Sequence, residues 1–392
     1  MTWKITSDQV NPPGDAAITY DITNAGGVFN LRSAGTVDYE IEWGDGAVEI
    51  STLNTLPHTY TAGDYTLGVY SDGVYRPYFN NVTADASQIT SVAIGSGADL
   101  GTDLGLAWYG ASNMTSFVCP FDVTSSVTSV NGTWLSCAFT SFPLIDTSSC
   151  TNFTAAWEGC TNLAIFPLLN MSSGTSFNAA WASCSSLTSF PLLDVSSGTN
   201  FNNTWLNCSS LVSFPLLNTS SGTSFSDAWH DCTSLTSFPL IDTSSGTNFT
   251  YTWYNCSNLT SFPLIDTSSG TGFTAAWQNC SSLTSFPLID TSSGTNFFYA
   301  WNNCTSLTDF PANMFDTTGT LVAIAFQNAW SNCALTAQSI ENILVSLDTN
   351  GATGITLSID GGTNAAKTTW STAAVTAYDN LIVKGWTISF NA

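Results

Sequence analysis

Cationic side chains are nearly missing from this chain. Among 392 residues only Lys4, Arg32, Arg76, Lys367 and Lys384 are basic, against 28 Asp and Glu, giving a formal net charge of −23. Nucleic acid is held through a cationic footprint, so nucleic-acid binding is excluded. Attraction to an anionic membrane fails for the same reason. Charge of either sign is scarce, at 8% of residues, so the surface must be built largely from neutral hydroxyls and amides. No run of 18 apolar residues occurs, and no membrane insertion is expected. Met1-Thr-Trp-Lys4 lacks the basic start and apolar core of a signal peptide, and we expect assembly in a cytoplasm. There is also no C-x-x-C and no Cys/His cluster with zinc spacing.

What is present is a beat of 24 residues. Phe177 to Pro191 reads F-N-A-A-W-A-S-C-S-S-L-T-S-F-P, and the pattern returns at Phe201, Phe225, Phe249 and Phe273. Trp157, Trp181, Trp205, Trp229, Trp253, Trp277 and Trp301 keep that spacing. Each has a cysteine three residues on: Cys160, Cys184, Cys208, Cys232, Cys256, Cys280 and Cys304. A fixed period of this length is the signature of a solenoid, one supersecondary unit per repeat. We expect about ten coils over residues 86–334, with irregular first coils from Ile89-Thr-Ser-Val92 onward and a looser last one at Trp330 and Cys333.

Within a repeat, Phe177, Ala180, Trp181 and Cys184 stand at i, i+3, i+4 and i+7, predicting a short helix with its apolar face inward. Leu187 to Leu193 predicts an extended segment, and Asp194-Val-Ser-Ser-Gly198 a turn. Gly198 and its equivalents Gly222, Gly246, Gly270 and Gly294 imply either positive φ or no room for a Cβ. The cysteines would form a column about 4.7–5 Å apart, one strand spacing per coil. Beside Trp on an apolar face they read as reduced packing groups; pairing between coils is the alternative. Pro143 to Pro311 recur after the second apolar residue, which implies a short ladder and a bend there.

Residues 1–85 do not follow the beat. Trp43-Gly-Asp-Gly46, Pro57-His-Thr-Tyr60 and Gly63-Asp-Tyr-Thr-Leu67 resemble the PKD domain, which implies an immunoglobulin-like β-sandwich acting as a spacer or adhesion module. His58 reads as a structural hydrogen bonder and Asp45 as a turn former. The C-x-x-L spacing and the Asp-Thr-Ser turn of the repeats resemble the BspA-type leucine-rich repeat of bacterial surface proteins, which implies adhesion without a shared catalytic site. Residues 335–392 predict a helix capped by Thr336, a strand Ile355–Ile359, a second helix near Ser371–Val383 and a strand Trp386–Phe390. This ending is similar to C-terminal units of bacteriophage repeat proteins, an α/β cap for the end of the stack. The fold class is therefore mixed α/β and β in three parts.

Positions that vary between repeats mark the surface. They place Leu206, His230, Asp231, Tyr251, Tyr254, Phe298 and Tyr299 in nearby coils, aromatics among neutral polar groups that suit sugar stacking or protein contact. His230 shares its phase with Glu158, Ala182, Leu206, Tyr254, Gln278 and Asn302, which argues against catalysis. Asp194, Asp242, Asp266 and Asp290 share one phase with Asn170 and Asn218. Neighbouring carboxylates there repel by roughly 0.9 kcal/mol per pair in water, and calcium would relieve this. The free exchange with Asn favours side chains that bond their own turn, so no cofactor is expected.

These features lead us to expect a non-enzymatic, virion-associated fibre, spike or decoration protein of a bacteriophage. It would bind virion or filament protein through the N-terminal part and a host-surface glycan or protein through the repeats; a homo-oligomer is compatible with this. A bacterial cell-surface adhesin or filament subunit is the alternative. A glycan-degrading enzyme ranks last, because no carboxylate pair about 5–9.5 Å apart isolates itself.

Overall fold

A computed structural model describes residues 18–34, 38–71, 73–79 and 83–392. The reading of Met1–Lys4, the strand start at Val37 and the rest of the first 17 residues lie outside them. The chain divides into two compact units, one reaching to Leu163 with Pro167–Met171, the other comprising Ala164–Phe166 and Ser172–Ala392. The fold is mixed, with a large sheet, a small sheet and few helices.

In the first unit β1 (Ile18–Arg32), β2 (Tyr39–Glu42), β3 (Val48–Ser51), β4 (Thr55–Ser71), β5 (Ile89–Ile94) and β6 (Ser116–Val118) form one sheet in the order β3-β2-β4-β1-β5-β6. The sandwich expectation is corrected here: the described strands join a single sheet rather than two. The reason lies in β1 and β4, which stay paired without a register shift from Ile18↔Val69 to Arg32↔Thr55. Gly26 and Gly27, at φ 93° and 140°, sit midway. Burial falls on Ile18, Tyr20 and Ile22 before the glycines and on Phe29 and Leu31 after them. The ribbon thus exchanges its inward face across two residues that need no Cβ, instead of breaking into two sheets. Phe79 touches both halves, at 6.3 Å from Tyr20 and 6.2 Å from Phe29. The sheet also continues past residue 85, since β5 pairs with β1 and β6.

The residues of the PKD-like motif converge. Trp43 is buried and stacks on His58 at 4.5 Å, and the Tyr60 hydroxyl donates to the Trp43 carbonyl. His58 Nε2 lies 2.7 Å from Asp45 Oδ2, a bond that draws the Asp45 carboxyl below its usual range. In the same unit Trp157 and Cys160 are fully buried.

The second unit repeats one hydrogen-bonding scheme. Every other residue donates its N–H to the next 24-residue coil: Phe201 to Ser224, Asn203 to Ser226, Trp205 to Ala228 and Asn207 to His230. The residues between them turn back on their own coil, as Leu206 to Asn203 and Cys208 to Trp205. The predicted helix is corrected accordingly. Phe201–Cys208 and its equivalents are a chain of tight turns, with Asn203 at φ 56° and Asn207 at φ 58°. Left-handed residues at two positions per coil cannot belong to a right-handed helix. The apolar spacing nevertheless points the same residues inward.

Trp181, Trp205, Trp229, Trp253, Trp277 and Trp301 are all fully buried with Cys184, Cys208, Cys232, Cys256, Cys280 and Cys304. Trp205 and Trp229 stack at 5.2 Å, and Phe214 meets both edge-on at 4.8 and 5.2 Å. All eleven cysteines are buried and none is in a disulfide. Gly222 and its equivalents have ordinary φ; their reason is space, for a Cβ on Gly222 would stand 2.5 Å from Phe225 Cζ. The proline column marks a bend, as expected. Leu217 N–H donates to the Pro215 carbonyl across 2.9 Å, and Ile241 does the same to Pro239. This is a γ-turn with Leu216 or Leu240 at its corner.

The stack ends on residues that imitate a further coil. Trp330 N–H donates to Ser358 of β7 (Thr356–Ile359), and Asn332 to Asp360. Strand β8 (Thr387–Phe390) runs parallel to β7. Helix α1 (Ala337–Asn350) is capped by the Thr336 hydroxyl, which accepts from Ser339 N–H, and α2 (Thr372–Val383) by Ser371. From α1, Ser339 and Asn342 take up the backbone N–H and C=O of Phe310.

Candidate binding surface

The turn chain decides what the outer face can present. Two left-handed positions flank each tryptophan of the coils, and in the coil of Trp229 they hold Asp227 and Asp231, at φ 57° and 59°. His230 stands between them. Its Nδ1 lies 2.8 Å from Asp227 Oδ1 and its Nε2 3.5 Å from Asp231 Oδ2. Asp227 also accepts from the Ser226 hydroxyl, and Asp231 from Asn255 Nδ2 at 2.7 Å. The imidazole is thereby fixed by two carboxylates that are themselves held.

The following coil lays two phenol rings against it. Tyr254 lies 4.5 Å and Tyr251 6.1 Å from His230, and the two tyrosines meet edge-on at 5.7 Å. Tyr251 sits at φ 55° and is 38% exposed. That conformation is uncommon for a bulky residue. At the equivalent place other coils put Asn203, Asp227, Ala275 or Asn328, while Leu106 and Tyr299 are likewise bulky and left-handed.

The structure therefore gathers four of the sequence candidates, His230, Asp231, Tyr251 and Tyr254, and adds Asp227 and Asn255, which sequence reasoning missed. Leu206 is half-buried in the same column, one coil earlier. Phe298 and Tyr299 form a separate pair at 4.4 Å, with the coil of Ala275 intervening. The signal for Asp227 and Asn255 was their residue type, since Asn, Asp and Gly recur two residues either side of Trp where left-handed backbone is needed.

The carboxylate column is committed to its own turns. Asp242 Oδ1 accepts from Ser244 N–H at 3.0 Å and from its hydroxyl at 2.7 Å, and Asn218 makes the same pair of bonds to Ser220. These bonds lower the carboxyl pKa at Asp194 and Asp242. Asp266 accepts both bonds from Ser268, and Asp290 accepts the Ser292 N–H. Among the described residues no three His, Cys, Asp or Glu side chains converge on a metal position.

The described cations are engaged inside the protein. Arg32 pairs with Asp85, Arg76 with Asp103 and Lys384 with Asp348, while Lys367 lies 3.5 Å over the Tyr378 ring. A second surface feature was not foreseen. Leu192, Leu216, Leu240, Leu264 and Leu288, one per γ-turn corner, are 50–63% exposed.

Among the described residues no helix is long and apolar enough to cross a membrane. Compared with known proteins, the chain matches no family model and no curated relative.

Proposed function

We propose that this chain is a non-enzymatic attachment protein on the surface of a bacteriophage particle. In this reading its 24-residue coils are a leucine-rich-repeat solenoid that presents a binding face to a host-surface glycan or protein. The observation that carries it is Tyr251. A bulky ring kept in a left-handed conformation, as again at Tyr299 but where asparagine, aspartate or alanine serves other coils, points to a use outside folding. With Tyr254 and His230 it offers three ring faces for the apolar side of a sugar, and Asp231 and Asn255 supply polar contacts beside them. A fixed array on rigid backbone loses little freedom on binding.

The test is binding of the purified chain to intact bacteria and to their isolated surface polysaccharide. Tyr251→Ala with Tyr254→Ala should weaken binding at least about tenfold, the scale of two lost stacking contacts, while tryptophan near-ultraviolet dichroism is retained. Equal binding by the double variant would remove these residues from the site. Finding the chain on a bacterial envelope and never in purified particles would transfer the role to a cell-surface adhesin.

A further inference from the structure

We propose that Tyr378 and Phe390, in the residues that close the stack, form a seat for a quaternary ammonium group, held in this structure by the protein's own Lys367. Three elements build it. Lys367 opens the single turn Lys367–Thr369, Tyr378 stands on α2 and Phe390 ends β8. The two rings meet at 83° with centroids 5.5 Å apart, so they form a corner. Lys367 Nζ lies in that corner, 3.5 Å from the Tyr378 centroid and 5.1 Å from that of Phe390.

The corner is braced from within the protein. Trp370 is buried and meets both rings, at 6.0 Å from Tyr378 and 5.5 Å from Phe390. Its indole N–H donates to the Ala365 carbonyl across 3.1 Å. The Lys367 N–H donates to the Asn391 carbonyl across 3.0 Å, which ties the turn to the end of β8. Lys367, Tyr378 and Phe390 are each half-buried, so the corner stands at the surface.

The ligand class follows from what sits there now. A cation over ring faces is drawn by the ring quadrupole. Arg32, Arg76 and Lys384 each pair with a carboxylate of this acid-rich chain. Among the described residues Lys367 Nζ has no such partner and no hydrogen-bond acceptor, only the rings. Its three N–H donors therefore find nothing in the corner. A quaternary ammonium carries the same charge, has no N–H to satisfy and lays methyl groups on both faces. Its entry also frees a long side chain whose rotamers were fixed. The net charge of −23 raises the concentration of cations near the surface. While Lys367 occupies the seat, apparent affinity falls by the fraction of seats left open. The inference uses these residues alone and does not rest on the attachment reading.

Calorimetric titration of the full chain with choline decides it. Lys367→Ala should bind choline about tenfold more tightly than the unaltered chain, the factor expected if the lysine fills about nine seats in ten. Adding Tyr378→Leu to Lys367→Ala removes a ring face and keeps an apolar filling. It should weaken choline about fivefold, with the tryptophan dichroism unchanged. Should Lys367→Ala loosen the turn, Lys367→Gln should still bind more tightly than the unaltered chain. No choline binding by either Lys367 variant, equal binding of the uncharged carbon isostere of choline, or equal affinity with and without the Tyr378 ring would overturn the proposal. A lipid headgroup and a soluble polymer both offer this ammonium. Flotation of Lys367→Ala with phosphatidylcholine vesicles would support the proposal with the lipid as source, and choline binding without flotation would support it with the soluble one.

Discussion

The Cys232 thiol donates to the Trp205 carbonyl of the preceding coil across 3.3 Å. That carbonyl already accepts the turn N–H of Cys208, so the sulfur takes its remaining lone pair. The same bond recurs from Cys256 to Trp229 and from Cys280 to Trp253, both at 3.2 Å. The cysteine column is therefore a column of donors as well as of small apolar groups.

Burial pushes the Cys208 and Cys280 thiols up to about 12 and Cys232 well above its usual value. Thiolate is the reactive form. Ellman's reagent at about pH 8, slightly below the ordinary thiol pKa, should find no fast-reacting thiol in the folded chain and all eleven after denaturation. Cys256→Ala removes the donor together with the volume of the sulfur. It should cost about 1 kcal/mol in denaturant unfolding.

Left-handed backbone makes a second prediction at Asn207, whose φ is 58°. Asn207→Gly should be neutral within a few tenths of a kcal/mol. Asn207→Val places a branched Cβ where it clashes with backbone and should cost about 1–3 kcal/mol. Equal stability of the two variants would contradict the turn chain.

At Gly246 the limit is volume. An added methyl would stand 2.6 Å from Phe249 Cζ, 3.0 Å from the Thr243 carbonyl and 3.1 Å from Phe225 Cε2. Gly246→Ala should therefore lose about 1–3 kcal/mol. Shortening the ring with Phe249→Leu in the same chain should return part of that loss, giving a favourable coupling in a double-mutant cycle.

The turn carboxylates set a pH dependence. Folded Asp194 and Asp242 have lowered pKa values, with the serine hydroxyls Ser196 and Ser244 as the largest cause. Their contribution is full above the unfolded value of about 3.9 and is lost as pH falls through the lower folded value. Asp194→Asn with Asp242→Asn should leave neutral-pH stability nearly unchanged, since Asn218 makes the same bonds. The double variant should flatten the acid limb below about pH 4, as read by thermal melts at stepped pH.

The period, the inward Trp, Cys, Leu and Phe, the helix cap at Thr336 and the bend at each proline were legible because each depends on residue type or spacing alone. The turn chain was not. Its inward residues fall at i, i+3, i+4 and i+7 just as on a helix, so hydrophobic periodicity cannot separate the two; only Asn, Asp and Gly at Asn207, Asp231 and Gly159 carried the distinction. Leu192 and Leu193 are neighbours of the same type with opposite fates, and only the γ-turn tells them apart. At the site, His230 with Tyr254 could be read from their shared column. The clamp of Asp227 and Asp231 on the imidazole required knowing that positions four apart meet beside the ring.

The coil-to-coil bonding of the second unit has a consequence for length. Phe225 N–H donates to Asn248 as Phe201 does to Ser224, and Trp229 meets Trp253 much as Trp205 meets Trp229. Excising residues 225–248 would bring two surfaces together that already match, with no orphaned donor at the join. Gain or loss of one 24-residue cassette thus changes reach by a single rung, which makes extension a parameter that recombination can tune without inventing a new interface.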